Sequence, residues 1–198
     1  MKRWTPALIL GLALAAPAFA TTVGAPAPDF SLADLSGKAV KLSDHKGSYV
    51  VLEWVNPECP YVRKHYDSAN MPSLQKEFGS KKVVWLTINS TNANHPEFKT
   101  PEQMNAWMKQ KGGAPAATLL DRDSKVGKAY GARTTPHMYV VDPKGQLVYV
   151  GAIDDKRSTD PQDIKTSTNY VRVALGEALA GKPVSTPSTT PYGCSVKY

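Results

Sequence analysis

The sequence lacks several features that would assign it to a special class of protein. No basic run interleaved with aromatic residues occurs, because the positive charges behind the net charge of +7 are scattered, as at Lys81, Lys109 and Lys125. This pattern argues against nucleic acid as a partner. No internal repeat is visible. Hydrophobic residues make up 41% of the chain and charged residues 21%, a composition that excludes wholesale disorder.

No long hydrophobic run is present either. The N-terminal apolar run, Ala7–Ala20, has about 14 residues, whereas a helix that crosses a bilayer needs roughly 20. Lys2 and Arg3 precede the run, and Ala18-Phe19-Ala20 ends it with the small-x-small pattern that a signal peptidase accepts. We therefore predict a secretory signal peptide over residues 1–20 in preference to an uncleaved anchor. The mature protein would be exported, periplasmic or secreted, with no stable membrane insertion after cleavage.

The mature chain has the length of one domain and alternates strand and helix patterns. Two apolar runs predict buried strands, and a proline at the first position predicts the start of the helix between them. The capping-box sequence that begins at Thr100 predicts another helix. The predicted elements are a hairpin over Phe30–Leu42, strands at Tyr49–Val55, Lys82–Ile88 and Ala117–Leu120, helices at 60–78, 100–112, 124–130 and 168–180, and a hairpin over 137–150. This order predicts an α/β domain with a mixed sheet over residues 21–181.

A Pro-, Ser- and Thr-rich tail follows from residue 182 to 198 and carries Cys194. Its composition predicts a flexible segment. The chain has one other cysteine, Cys59, so the pair could form a structural disulfide or shuttle between thiol and disulfide.

Cys59 stands at the predicted junction between the first buried strand and the helix that Pro60 opens. A thiol at a helix N-terminus meets unpaired backbone N–H groups and the positive end of the helix dipole, which stabilise the nucleophilic thiolate. We therefore interpret Cys59 as a reactive residue.

Several motifs resemble one family in their order and spacing. They are Val23–Leu42, Glu53 six residues before the cysteine, Cys59-Pro60-Tyr61-Val62, and Tyr130–Pro136 followed by an apolar strand and Asp142-Pro143-Lys144-Gly145. They are similar to the redoxin group of thioredoxin-fold proteins, which includes AhpC/TSA peroxiredoxins and TlpA-like oxidoreductases. The resemblance implies a thioredoxin-like fold, with a central mixed sheet flanked by helices and an N-terminal β-hairpin extension.

The resemblance also implies roles for individual residues. Cys59 would be the nucleophile of a thiol oxidoreductase, and Glu53 the buried acid that assists proton transfer. Pro136 would be the cis-proline that faces the cysteine, and with Thr135 it would present backbone to the substrate. Pro60 would set the backbone geometry. No organic cofactor and no metal would be needed.

The sequence departs from both branches of the family. Val62 replaces the second cysteine of Cys-x-x-Cys, and Asn56 stands where peroxiredoxins carry a hydroxyl that positions peroxide. The Asn56 amide could partly substitute for it. Arg63 and Arg133 are candidates for the peroxiredoxin arginine, and we favour Arg133 because it lies in the cis-proline loop. The substrate could therefore be a hydroperoxide or a disulfide.

Cys194 offers a replacement for the missing partner. It would attack a sulfenic acid or mixed disulfide on Cys59, and a thiol electron donor, either a thioredoxin-like protein or a small thiol, would then reduce the pair. A permanent disulfide between the two residues, or pairing between protomers, would also use both cysteines.

Two other classes of function remain open. A metal-binding protein similar to exported copper chaperones would use soft ligands, for which Cys59, His65, His137 and Cys194 are candidates. The second class is a binding module that has kept the thioredoxin fold but lost the catalytic activity.

Overall fold

The computed structural model describes residues 21–198, so the predicted signal peptide at residues 1–20 lies outside the described residues. The strands are β1 (Ser31–Asp34), β2 (Ala39–Lys41), β3 (Val50–Trp54), β4 (Val84–Asn89), β5 (Ala117–Leu120), β6 (Thr134–Thr135), β7 (His137–Val141), β8 (Leu147–Gly151) and β9 (Cys194–Ser195). The helices are α1 (Pro60–Asp67), α2 (Asn70–Ser80), α3 (Pro101–Gln110), α4 (Lys125–Tyr130) and α5 (Tyr170–Leu179). Short 3-10 helices span Leu42–His45 and Pro161–Thr166.

Seven of the strands form a mixed sheet in the order β2-β1-β5-β4-β3-β7-β8. The central strands β3, β4 and β5 are parallel, whereas β1, β2, β7 and β8 join their neighbours in antiparallel fashion. The prediction of an α/β domain with a mixed central sheet and an N-terminal hairpin is confirmed. Because β3 and β4 are parallel, the segments that follow them begin at the same edge of the sheet.

The central strand β3 shows why the sheet is covered on both faces. Val50, Leu52 and Trp54 pack into one hydrophobic core, and Val51 packs into a second core on the opposite face. All five residues of β3 are buried. Its apolar run therefore belongs to a strand without a solvent face, as its continuity predicted.

The predicted helix over residues 60–78 is wrong in one respect: it is two helices. Helix α1 ends at Asp67, Ala69 adopts a left-handed conformation with φ of 58°, and α2 begins at Asn70. Pro72 explains the break, because a proline inside a helix removes one backbone hydrogen bond and clashes with the preceding turn. In the first turn of α2 its missing N–H costs nothing.

The tail also differs from the flexible segment that its composition suggested. Val150 N donates to Pro187 O at 3.0 Å, and Thr189 N donates back to Val150 O at 3.1 Å. Gly151 makes this approach possible, since a Cβ there would lie 2.2 Å from Thr189 Oγ1. Further along, β9 pairs with β6. The tail is therefore packed along the domain, through contacts with residues that are distant in sequence.

Candidate active site

Cys59 lies where β3 has ended and α1 begins. It is the N-cap residue of α1, with Pro60 at the first helical position, and Arg63 N donates to Cys59 O at 2.9 Å. The side chain is only 1% exposed. Its Sγ donates a hydrogen bond to Thr135 O at 3.0 Å. The sulfur therefore faces the loop that precedes β7.

That loop contains the predicted cis-proline. The Thr135–Pro136 peptide bond is cis, and it carries Thr135 O to the Cys59 sulfur. Thr135 belongs to β6 and is buried, while its Oγ1 has no hydrogen-bond partner among the described residues. The structure thus places Thr135 and the cis Pro136 beside Cys59.

Cys194 completes the cluster from the opposite end of the chain. In β9 it stands directly across from Thr135 in an antiparallel pair. Both cysteines are free thiols. Burial, followed by a hydrogen bond and a charge interaction with Cys59, raises the pKa of the Cys194 thiol to about 12; Lys197 opposes this shift and Glu97 adds to it. Both cysteines therefore meet at Thr135, which makes them neighbours in the site.

Glu53 lies in β3, fully buried, on the face covered by α1 and α2. Tyr66 Oη donates to Glu53 Oε1 at 2.9 Å. Trp85 Nε1 and Gln75 Nε2 donate to Oε2 at 2.8 and 3.1 Å. Burial raises the pKa of Glu53 to about 7, against the lowering effect of these three donors. Its carboxyl group can therefore gain or lose a proton near neutral pH.

Asn56 is buried in the turn before Cys59, and both ends of its side-chain amide are hydrogen-bonded. Its Oδ1 accepts from Glu58 N at 3.0 Å, and its Nδ2 donates to Glu97 Oε2 at 2.5 Å. Glu97 was not among the residues predicted from the sequence. Glu97 lies in the loop after β4, and this loop begins at the same sheet edge as the turn that carries Cys59. The parallel order of β3 and β4 was therefore the available sign that this loop borders the site.

The two arginine candidates are placed apart from the thiols. Arg63 Nε donates to Pro57 O at 2.9 Å, and its guanidinium pairs with Glu58. Arg133 is exposed, and its backbone N donates to His137 Nδ1 at 3.3 Å. No hydrogen bond in the described residues joins either guanidinium to Cys59 or Cys194. Arg133 contributes through its backbone oxygen, which accepts from Val196 N at 3.1 Å.

The two histidines considered as metal ligands take other positions. His65 is buried beside Tyr192, with 3.4 Å between its Nε2 and Tyr192 Oη. His137 contacts the Tyr139 hydroxyl through Nδ1. Burial lowers the pKa of both imidazoles to about 3, with a smaller contribution from Lys64 or Arg133. Within residues 21–198 no three His, Cys, Asp or Glu side chains are grouped so that they could hold a metal ion.

Tyr192 anchors the tail next to Cys194 and was missed by the sequence reasoning. Its ring is nearly buried and packs edge-on against Tyr61, with centroids 5.7 Å apart. Its hydroxyl donates to Asp154 Oδ1. Asn70 Nδ2 donates to His65 Nδ1 at 2.8 Å, which leaves His65 Nε2 to face the tyrosine hydroxyl. No local pattern in the sequence marks this network.

Comparisons with known proteins agree with this architecture. The model of the AhpC/TSA family matches residues 23–150. The thioredoxin-like protein YneN of Bacillus subtilis is 31% identical over 143 residues, which cover 71% of this chain and 79% of YneN. The thiol-disulfide oxidoreductase ResA of Halalkalibacterium halodurans is 28% identical over 127 residues, covering 64% of this chain and 66% of ResA, just under two thirds of that relative.

Among solved structures, an uncharacterised conserved protein of Geobacillus kaustophilus superposes with a TM-score of 0.77 at 30% identity, covering 90% of this chain and 93% of that one. A hypothetical protein of Sinorhizobium meliloti gives a TM-score of 0.73 at 30% identity, with 89% and 94% covered. The resemblance inferred from the motifs is confirmed. Among residues 21–198 no helix combines the length and apolar character needed to cross a bilayer.

Proposed function

Because this chain belongs to the AhpC/TSA family, we propose that it is an exported thiol–disulfide oxidoreductase in which Cys59 is the nucleophile and Cys194 the resolving cysteine. The observation that carries the proposal is the closeness of the two free thiols: the Cys59 sulfur donates to Thr135 O, and Cys194 pairs with Thr135 across the strands, although 135 positions separate the two cysteines in sequence. The name of the relative ResA, a thiol-disulfide oxidoreductase, supports the same chemistry.

The reaction proceeds by two thiol–disulfide exchanges. The Cys59 thiolate attacks one sulfur of a substrate disulfide, the substrate S–S bond breaks, and the other substrate sulfur leaves and takes up a proton. The Cys194 thiol then loses its proton and attacks the Cys59 sulfur. The mixed disulfide breaks, the second substrate thiol leaves, and Cys59 and Cys194 remain joined. Two electrons have passed to the substrate, and an exported thiol donor, either a thioredoxin-like protein or a small thiol, then reduces the Cys59–Cys194 disulfide.

The surroundings of the thiols suit these steps. Burial and the neighbouring Cys59 raise the pKa of the Cys194 thiol and keep it protonated until resolution begins. Glu53, with a pKa raised to about 7 by burial, exchanges protons in the same pH range. In this proposal Thr135 and Pro136 present backbone to the substrate, and Pro60 fixes the start of the helix.

A disulfide fits the site better than a hydroperoxide. The position that carries a peroxide-binding hydroxyl in peroxiredoxins is Asn56, and both ends of its amide are taken by Glu58 N and Glu97. Arg63 pairs with Glu58, and no hydrogen bond in the described residues joins the Arg133 guanidinium to either thiol. The hydroxyl that would hold peroxide is therefore missing, and neither arginine is bonded to the thiols.

Mass spectrometry of the mature chain tests the proposal. The fully reduced protein is given one equivalent of oxidised glutathione or, in parallel, hydrogen peroxide, and free thiols are alkylated before digestion. We expect the disulfide to produce a Cys59–Cys194 peptide pair much faster than peroxide does. Cys59→Ser should abolish the reaction, and Cys194→Ser should stop at a Cys59–glutathione adduct. Turnover retained in Cys59→Ser would refute the assignment, and faster conversion by peroxide would make the protein a peroxidase.

Export rests on the pattern of residues 1–20. Expression of the full chain in a Gram-negative host, followed by fractionation and N-terminal sequencing, should give a periplasmic protein that begins at Thr21. A protein that keeps Met1 and stays in the cytoplasm would refute this part of the proposal.

A further inference from the structure

Cys59 is covered in this structure. It is 1% exposed, its sulfur donates to Thr135 O, and Cys194 pairs with Thr135 on the neighbouring strand. An exchange reaction requires a substrate sulfur to reach the Cys59 sulfur directly. The tail that carries Cys194 therefore has to move before Cys59 can attack a disulfide in another protein.

The tail covers Cys59 as an added β-strand. Strand β9 pairs antiparallel with β6, placing Ser195 opposite Thr134 and Cys194 opposite Thr135. The pairing is extended by Val196 N, which donates to Arg133 O at 3.1 Å. Within residues 21–198, β6 has no strand partner other than β9. Removal of the tail would leave an open strand edge beside the nucleophile, and such an edge accepts extended peptides through main-chain hydrogen bonds.

The close approach of the two strands depends on a glycine. Gly193 has φ of +136°, and a Cβ at this position would lie 2.1 Å from Thr135 O and 2.7 Å from the Thr135 carbonyl carbon. Both atoms belong to backbone, so no side-chain rotation relieves the clash. A segment that pairs with β6 in this way therefore needs glycine immediately before the cysteine that faces Cys59.

The tail is held by contacts outside the strand pair as well. The buried Tyr192 hydroxyl donates to Asp154, and Thr189 Oγ1 accepts from Ala152 N at 2.9 Å. Asn92 N donates to Lys197 O at 2.7 Å on the other side of β9. These anchors flank the Gly193-Cys194-Ser195 strand, so displacement of that strand competes with a defined set of interactions.

We propose that β9 is an internal competitor of substrate: it occupies the edge of β6 that presents backbone to the substrate in the proposed function, and the partner segment that replaces it is extended and carries glycine before its cysteine. This inference rests on the proposed function, because it uses Cys59 as nucleophile and Cys194 as resolving cysteine. The partner segment takes the place of Gly193-Cys194-Ser195, and the Cys59 thiolate attacks the disulfide that this segment carries. When β9 returns, Cys194 attacks the Cys59 sulfur while the strand displaces the partner segment, so resolution and product release are one movement.

The test follows the first exchange step in the full mature chain carrying Cys194→Ser, which traps the mixed disulfide. The probes are peptides with the sequence of residues 190–197, whose cysteine is joined through a disulfide to a chromogenic aromatic thiol. One peptide keeps glycine before the cysteine and a second has alanine there. A small disulfide with the same leaving group reports the exposure of Cys59 alone.

Two further substitutions loosen the tail, each added to Cys194→Ser: Gly193→Ala and, independently, Tyr192→Ala. We expect either one to increase the rate of release of the chromogenic thiol at least tenfold for all probes. In the loosened chains the glycine peptide should react at least tenfold faster than the alanine peptide. Gly176→Ala is the matched control, because a Cβ at this α5 position meets nothing within 4 Å. It should leave every rate unchanged.

The outcomes separate this inference from the proposed function. Equal rates with the tail loosened or intact would show that β9 does not cover Cys59 from substrate. Equal rates for the glycine and alanine peptides would show that the β6 edge does not dock them. Either result overturns the inference and leaves the redox pair in place. If no chain forms a mixed disulfide with any probe, the proposed function fails as well.

Discussion

Replacing Glu53 by glutamine tests the protonation of this buried acid, which lies under α1 and α2. Tyr66, Gln75 and Trp85 donate to its carboxyl oxygens from the surrounding core. Glutamine has nearly the same shape as a protonated glutamic acid and keeps one oxygen for two of these donors. It does not titrate, so the comparison isolates the free energy linked to the Glu53 proton.

The expected magnitude follows from the folded pKa. Burial raises the pKa of Glu53 from 4.5 to about 7, and one pKa unit corresponds to about 1.4 kcal/mol. The folded state therefore favours the protonated acid by about 3 kcal/mol relative to the unfolded chain. Because the folded state binds this proton more tightly, the contribution is fully present below pH 4.5. It is lost as the pH rises toward 7 and is constant above that range.

Urea unfolding of the reduced protein between pH 4.5 and 8 measures this contribution. The free energy of unfolding of the natural chain, minus that of Glu53→Gln, should fall by about 3 kcal/mol across this range. Glu102→Gln serves as the control. The exposed Glu102 accepts a hydrogen bond from Thr100 that lowers its pKa, so its pH dependence lies below 4.5. A difference between the natural chain and Glu53→Gln that does not change with pH would refute the reasoning.

Three further predictions concern stability, each measured by urea unfolding of the reduced chain. Leu74→Ala removes a fully buried side chain of α2 and should cost about 2–5 kcal/mol, whereas the half-exposed Val173→Ala should change stability by less than about 0.5 kcal/mol. Thr100→Ala removes the capping-box hydroxyl of α3 and should cost about 1 kcal/mol without slowing disulfide exchange. Tyr192→Phe removes the donor to the buried Asp154 and should cost about 1–3 kcal/mol; an unchanged midpoint would show that this bond adds nothing to the fold.

The parts of the fold that the sequence predicted are those specified by nearby residues. The capping box that starts at Thr100 joins positions three apart, and both of its hydrogen bonds are present. The run at β3 alternates between two hydrophobic cores, so its apolar continuity identified a buried strand. The continuous helix after Pro60 was a local error, because Pro72 was present in the sequence and forbids it.

Only those residues of the candidate site that belong to the family motifs could be predicted from the sequence. Cys59 and Pro136 belong to such motifs; the Cys59 sulfur donates to the carbonyl of Thr135, the residue before the cis Pro136. Tyr192 and Glu97 were missed because their partners, Asp154 and Asn56, are about 40 positions away. A polar tail with several prolines resembles a flexible segment in composition, and only tertiary contacts distinguish it from a packed strand.

The position of Cys194, the resolving cysteine in our proposal, has a mechanistic consequence. In a Cys-x-x-Cys protein the second thiol belongs to the same helix as the nucleophile, so both stay together throughout the reaction. Here Val62 fills that helical position and is buried in the core, while the second thiol is carried by a strand that pairs with β6. The same backbone edge then serves the resolving cysteine and, in our proposal, the partner segment. In this proposal substrate binding and resolution exclude each other in space, so we expect a partner that binds β6 more tightly to react faster with Cys59 but to be released more slowly.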